Sequence, residues 1–278
     1  MTSFEIPDSA LEGIKDQVVI ITGLATLRRI IKHGGKVFAS DVNDLPEPEA
    51  SSVPFQKVDV TSWKDQVELF KAAEKHYTKI NHVFANAGIA PTINLMEDDV
   101  DENGDLLPPK LNTLNVNLTG CMYTVKLGIF YLKKNPNGGT TSKHAVLGLL
   151  RALTPNLTQS PHPIRINAIA PSWTATNIVP QAVISALGEG NYQSADVVGR
   201  SVTLLMADEK RHGELVYSEC GRFMDLENGE RGYHELTKRM LGVEGELRET
   251  SVLRGLREKL EGKGEGEKGL EEVVVASE

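Results

Sequence analysis

The sequence predicts an α/β fold: a single doubly wound domain on a mostly parallel sheet, one strand short of a full set. Three observations point there. Short β-branched runs appear without polar alternation, as in strands buried on both faces. Stretches with apolar residues at helical spacing separate them, and glycines stand where one pattern gives way to the other. A chain of 278 residues, 40% apolar and 24% charged, suits one sizeable core, and nothing suggests a second domain.

Val18-Val19-Ile20-Ile21-Thr22 reads as the first strand, closed by Gly23. Leu24, Leu27, Ile30 and Ile31 recur at helical spacing until Gly34-Gly35, and Lys36 to Asp41 follow as a second strand, completing a βαβ unit. A carboxylate at that strand end, here Asp41, is placed to accept ribose hydroxyls of an adenosine and to repel a 2′-phosphate. Val58-Asp59-Val60-Thr61 ends another apolar run. Ser62 with Asp65 forms a capping signal for a helix that turns Val67 and Phe70 inward. His82 to Ala85 is a strand leading into Asn86-Ala87-Gly88; Leu114 to Leu132 is helical and holds Asn117. Thr141 to Val146 are expected to open a further helix, and Ile164 to Pro171 form a later strand followed by Trp173, Thr174 and Thr176.

Several function classes are excluded or unsupported. The formal charge of -8, with no basic stripe, argues against nucleic acid. Cys121 and Cys220 make neither a disulfide framework nor a metal set, and the seven histidines show no paired spacing, so no metal is expected. His82 reads as an ordinary strand-start residue and His144 as a helix-surface one. Met1 to Asp16 has no apolar signal core, and no run approaches the roughly twenty residues that span a bilayer, so no membrane association and a cytoplasmic location are expected. Glu97 to Asp105 reads as a solvated acidic loop. The domain is expected to occupy residues 1–241, with 242–278 a charged, partly disordered extension carrying Leu253, Leu256 and Leu260.

In order and spacing these segments resemble the short-chain dehydrogenase/reductases, over roughly Gly13 to Gly229. The resemblance implies a Rossmann domain and NAD(P)-dependent hydride transfer between a cofactor and a secondary alcohol or ketone. It implies that Thr22 and Gly23 begin the cofactor loop, that Asp59 and Val60 border the adenine, and that Asn86, Ala87 and Gly88 lie beneath the cofactor. It places Thr174 and Thr176 on the cofactor side, with Thr176 at the nicotinamide amide. Lys143 matches the catalytic lysine, which also holds the ribose, and Asn117 the asparagine that supports it through water. Asp41 favours NAD over NADP. Relatives pair through the helices matching Leu114 to Leu132 and Thr141 to Leu153, so a homodimer or homotetramer is implied.

Two departures from the family pattern are large. Thr22-Gly23 passes straight to Leu24, so roughly six residues with two glycines are missing from the phosphate-binding loop, and weakened dinucleotide binding is expected. Gly139 stands four residues before Lys143, where the family has its proton-transferring tyrosine; the catalytic serine is missing with it. Only Asn135 to Thr140 separate the helix ending at Lys134 from Thr141. A link returning along eighteen helical residues must cover about 27 Å, whereas six residues reach about 20 Å. A helical hairpin and a missing strand are therefore expected. The flanks keep the family pattern up to each break, which favours loss of exon-sized pieces over slow decay. Asn177 to Tyr192 match the family's substrate lid, where Ile178, Val179, Val183, Ile184 and Leu187 suit a small apolar substrate, or simply a packed helix.

Overall fold

The computed structural model describes residues 3–24, 26–90, 98–135, 139–143, 147–176 and 178–242. The chain divides into two compact units, Met1–Glu227 and Asn228–Glu278. The first runs β1 (Ser3–Phe4), a 3-10 turn at Asp8–Ile14, β2 (Val18–Thr22), α1 (Leu27–Lys32), β3 (Lys36–Asp41), β4 (Phe55–Lys57), α2 (Trp63–Tyr77) and β5 (His82–Ala85). It continues through α3 (Asn112–Leu114), a π-helical stretch at Asn115–Gly120, α4 (Cys121–Leu132), β6 (Gly139–Lys143), α5 (Leu147–Thr158) and β7 (Ile164–Pro171). The short parallel pair β8 (Thr174–Ala175) and β9 (Gln193–Ser194) flanks α6 (Gln181–Leu187), and α7 (Ala195–Ala207), β10 (Leu215–Glu219) and β11 (Arg222–Asp225) complete the unit. Of the second unit residues 228–242 are described, with α8 (Tyr233–Leu241) capped by Gly242 at φ 64; the expected tail with Leu253, Leu256 and Leu260 lies outside the described residues.

Among the described residues the main sheet has nine strands in the order β1-β11-β10-β7-β6-β5-β2-β3-β4. From β10 to β4 all neighbours are parallel, and β11 and β1 add an antiparallel edge. Strand side chains alternate between two cores, as parallel sheets covered on both faces require. Val19, Ile21 and Phe84 pack with Leu27, Ile30, Val198 and Val202 on one face, whereas Ile20, Val83 and Ile166 pack with Phe70, Val125 and Leu150 on the other. The expected cap of α2 forms as a reciprocal pair: the Asp65 N–H donates to Ser62 Oγ at 3.2 Å, and Ser62 Oγ donates to Asp65 Oδ1 at 2.9 Å.

The expectation of a missing strand is overturned. Thr141, Ser142 and Lys143 do not open a helix; they finish β6, which fills the slot between β5 and β7. The return along the sheet is made by β6 itself: α4 runs back along the sheet, Leu132 ends beside Gly139, and Gly139–Lys143 cover the distance expected of the link. Helix α5 then begins at Leu147, so no helical hairpin forms. The physical driver is backbone pairing, since an empty slot would leave the facing N–H and C=O groups of β5 and β7 buried without partners. Entry into β6 is fixed by Asn81, whose O accepts from the Thr140 N–H at 3.2 Å, and by Asn135, whose Nδ2 donates to Ile80 O. A Cβ on Gly139 would lie 2.2 Å from Asn81 O and 2.4 Å from Leu132 Cδ2. The position that reads as the tyrosine's is thus one where only glycine fits.

His82 opens β5 as expected. It is buried there, level with Val19 and Thr140, and burial first, then the nearby Arg165 and Lys79 charges, push its imidazole down to about 3. His144 lies outside the described residues.

Candidate active site

A groove of about 970 Å³ opens at the carboxyl ends of β2, β3 and β5. Gly23, Asp41, Asp59, Val60, Asn86, Ala87, Gly88 and Thr176 all line it, although they span more than half the chain. This is the edge of a doubly wound sheet at which ligands bind.

Thr22 stands behind the groove. It is buried, and its Oγ1 accepts from the N–H groups of Asn86 at 3.1 Å and Ala87 at 3.2 Å, fixing the turn that follows β5. Gly23 adopts φ 82, and a Cβ there would fall 2.8 Å from Asn86 Nδ2, so glycine is required by both conformation and space. Asn117 sits in the π-helical stretch, accepting from the Ile89 N–H at 2.8 Å and donating to Ile89 O at 2.9 Å. It pins the loop after Gly88, whose missing Cβ would approach Asn117 Oδ1 to 3.1 Å.

Asp41 is half-buried at the end of β3. Its Oδ1 accepts from the N–H and Nδ2 of Asn43 at 2.9 and 3.2 Å. Asp59 is exposed and accepts from the N–H and Oγ1 of Thr61 at 2.9 and 2.8 Å. Beneath them lies a buried network that no sequence pattern announced. Gln66 Nε2 donates to Val60 O at 2.6 Å and Gly120 O at 2.8 Å, while Thr124 Oγ1 donates to Gln66 Oε1 at 2.7 Å. It ties the groove floor to α4 through groups 54 and 58 residues apart.

One expected residue stands elsewhere. Thr174 does not line the groove; its Oγ1 donates to Ser172 O at 2.7 Å and accepts from the buried Gln193 at 3.2 Å. Lys143 closes β6, its backbone level with Ala85 and Ala168, at the same carboxyl edge as the groove. Neither nearby tyrosine of α4 substitutes for the missing one. Tyr131 is buried near the amino edge of the strands, its ring 5.2 Å from that of Phe70, and burial raises its phenol. The Tyr123 ring packs edge-on against Trp63 of α2 at 5.2 Å.

The shortened loop brings two arginines to the groove wall. Arg28 forks onto Glu49, with Nε–Oε1 at 2.5 Å and Nη2–Oε2 at 3.1 Å. The hydrogen bond to Arg28 holds the Glu49 carboxyl below its ordinary range against the opposing effect of burial. Arg29 is buried and pairs with Asp196 of α7, Nε–Oδ1 2.8 Å. Partners 21 and 167 residues away left no local signal.

A family model for short chain dehydrogenase matches residues 17–140. A short-chain dehydrogenase/reductase of Acremonium egyptiacum, ascJ, is 37% identical over 259 residues, covering 82% of this chain and 86% of the relative. The chain belongs to the short-chain dehydrogenase/reductase family. Another such protein, prx4 of Penicillium roqueforti, is 29% identical over 85% of this chain and 79% of its own length. Among solved structures, a 3-ketoacyl-(acyl-carrier-protein) reductase from Brucella melitensis complexed with NADH superposes with a TM-score of 0.62 at 17% identity, covering 75% of this chain and 98% of that one. Levodione reductase gives 0.59 at 19% identity, covering 75% and 98%. These structures share the dehydrogenase fold.

No group of three or more His, Cys, Asp and Glu among the described residues could hold a metal. No described helix is long and apolar enough to cross a membrane.

Proposed function

We propose that this dehydrogenase is built for hydride transfer between NAD and a secondary alcohol or ketone of a small apolar molecule in the cytoplasm, and that the chain as it stands turns over poorly. The observation that carries the reading is the convergence of eight motif positions on one groove. The groove fits the adenosine half of a nicotinamide dinucleotide. Asp41 offers its carboxylate to the ribose hydroxyls and disfavours NADP, and Val60 and Gly88 supply close, flat walls for the purine. The pyrophosphate position does not fit, because the glycine-rich loop is gone. When bound, the nicotinamide supplies or accepts the hydride. In this reading Thr176 meets its amide, Asn117 holds the loop beneath it, and Lys143 orients its ribose. Among the described residues proton transfer has no evident carrier, since the family's tyrosine and serine are missing and Lys143 alone does not take an alcohol proton near neutral pH. The test is NADH formation at about 340 nm against a panel of secondary alcohols, comparing the chain with one in which the glycine loop and the serine–tyrosine segment are restored. Activity should appear only in the restored chain and be lost again on Lys143→Ala.

A second reading is a non-catalytic subunit that pairs with a copy of itself or with an active homologue. It is favoured by an exposed apolar stripe formed by Leu114, Leu118, Met122 and Phe130, running from α3 through the π-helical stretch into α4. Light scattering should then give a homodimer or homotetramer, and Phe130→Glu a monomer.

A further inference from the structure

The groove is far from neutral. Its lining carries the carboxylates of Asp41, Asp44, Glu49, Asp59 and Asp196 against the guanidiniums of Arg28 and Arg29. Both guanidiniums are already committed, Arg28 to Glu49 and Arg29 to Asp196. Lys57 Nζ meets Asp44 at 3.4 Å. Asp41 and Asp59 remain, each with Oδ1 held by the backbone two residues on, and neither paired with a cation among the described residues. Two backbone donors beside the shortened loop are occupied too. The Gly23 N–H donates to Ser40 O at 2.7 Å, and the Leu27 N–H turns back to Leu24 O at 3.5 Å. A pyrophosphate would therefore add about two negative charges to a site with two carboxylates that no described cation compensates.

Resting on the adenosine-groove reading above, we infer that the groove selects an uncharged nucleoside over any nucleotide. The ribose hydroxyls donate to Asp41 Oδ2, which no described group bonds, and the purine lies between Val60 and the Asn86–Gly88 turn. Arg28 and Glu49 form the latch that keeps phosphate out, because their mutual pairing occupies the one exposed cation among the described residues that line the groove: Arg28 is 73% exposed and Glu49 11%.

The experiment is calorimetric titration of the full chain with adenosine, AMP and NADH at low ionic strength. Adenosine should bind tightest, with AMP and NADH weaker by about tenfold or more. Raising the salt should narrow that gap, because screening relieves repulsion; a working phosphate cradle would show the opposite, NADH weakening with salt. Glu49→Gln, which releases Arg28, should tighten AMP by about tenfold while leaving adenosine within about twofold. If that variant does not fold, the salt series on the unaltered chain still decides. NADH binding more tightly than adenosine at low salt overturns the inference and leaves the groove reading standing. No binding of any of the three overturns the groove reading itself.

Discussion

Strands β2 and β6 stand two places apart in the same sheet, with β5 between them, and could hardly differ more in composition. Val18-Val19-Ile20-Ile21-Thr22 is buried at every position. Gly139-Thr140-Thr141-Ser142-Lys143 is a glycine followed by polar residues, yet it takes the central slot between β5 and β7. The first strand is there because its side chains belong in the core. The second is there because its neighbours' backbones need a partner, which outweighs poor side-chain suitability. Topology, once set by the flanking βαβ units, recruits whatever chain is at hand.

The largest effect should come from the chemistry that β6 displaced. Restoring the serine–tyrosine segment ahead of the helix that now begins at Leu147, together with the glycine loop, should raise alcohol oxidation by about 10²- to 10⁴-fold over the loop alone. Equal rates in initial-velocity assays would show that another group moves the proton.

Next comes the entry to β6. Gly139→Ala should lower stability by about 2–4 kcal/mol or prevent folding, because its Cβ would meet Asn81 O at 2.2 Å. Gly128→Ala in α4, where a Cβ would sit 3.4 Å from Val83, should be neutral or slightly stabilising. Urea unfolding of the two variants makes the comparison, and similar losses in both would deny β6 its special constraint.

His82 provides a pH-dependent version of the same contrast. Its folded pKa, about 3, lies below the unfolded value of about 6.5, so between those values the unfolded chain binds more protons. Stability should be full above pH about 6.5 and fall as pH drops toward about 3, by up to about 1.4 kcal/mol per unit from this group. Urea midpoints across that range should flatten in His82→Leu, and an unchanged slope would remove His82 from the account.

The smallest effect concerns Thr140, whose Oγ1 is buried with no hydrogen-bond partner among the described residues. Thr140→Val should stabilise the fold by about 1 kcal/mol, as measured by urea unfolding. A loss of stability would mean that the hydroxyl is satisfied and that β6 is less compromised than its composition suggests.

What could be read in the sequence follows the same division. Strands β2, β3, β5 and β7 announce themselves because strands buried on both faces must be apolar runs, and Ser62 with Asp65 marks the start of α2. The groove was legible as well, since its walls are short contiguous motifs at strand ends. Strand β6 was not, because nothing in Gly-Thr-Thr-Ser-Lys looks buried and the resemblance assigns Lys143 to a helix. The Arg28–Glu49 and Arg29–Asp196 pairs and the Gln66–Thr124 bond were equally silent, being side-chain meetings across elements that only the fold brings together.

The most direct test of the account is amide hydrogen exchange over residues 139–143. Placement between β5 and β7 predicts protection of these amides well above that of the exposed loops, with His82–Ala85 and Ile164–Pro171 protected alongside them. Rapid exchange at 139–143, accompanied by loss of protection in the facing halves of β5 and β7, would contradict it and return the open slot to the sheet.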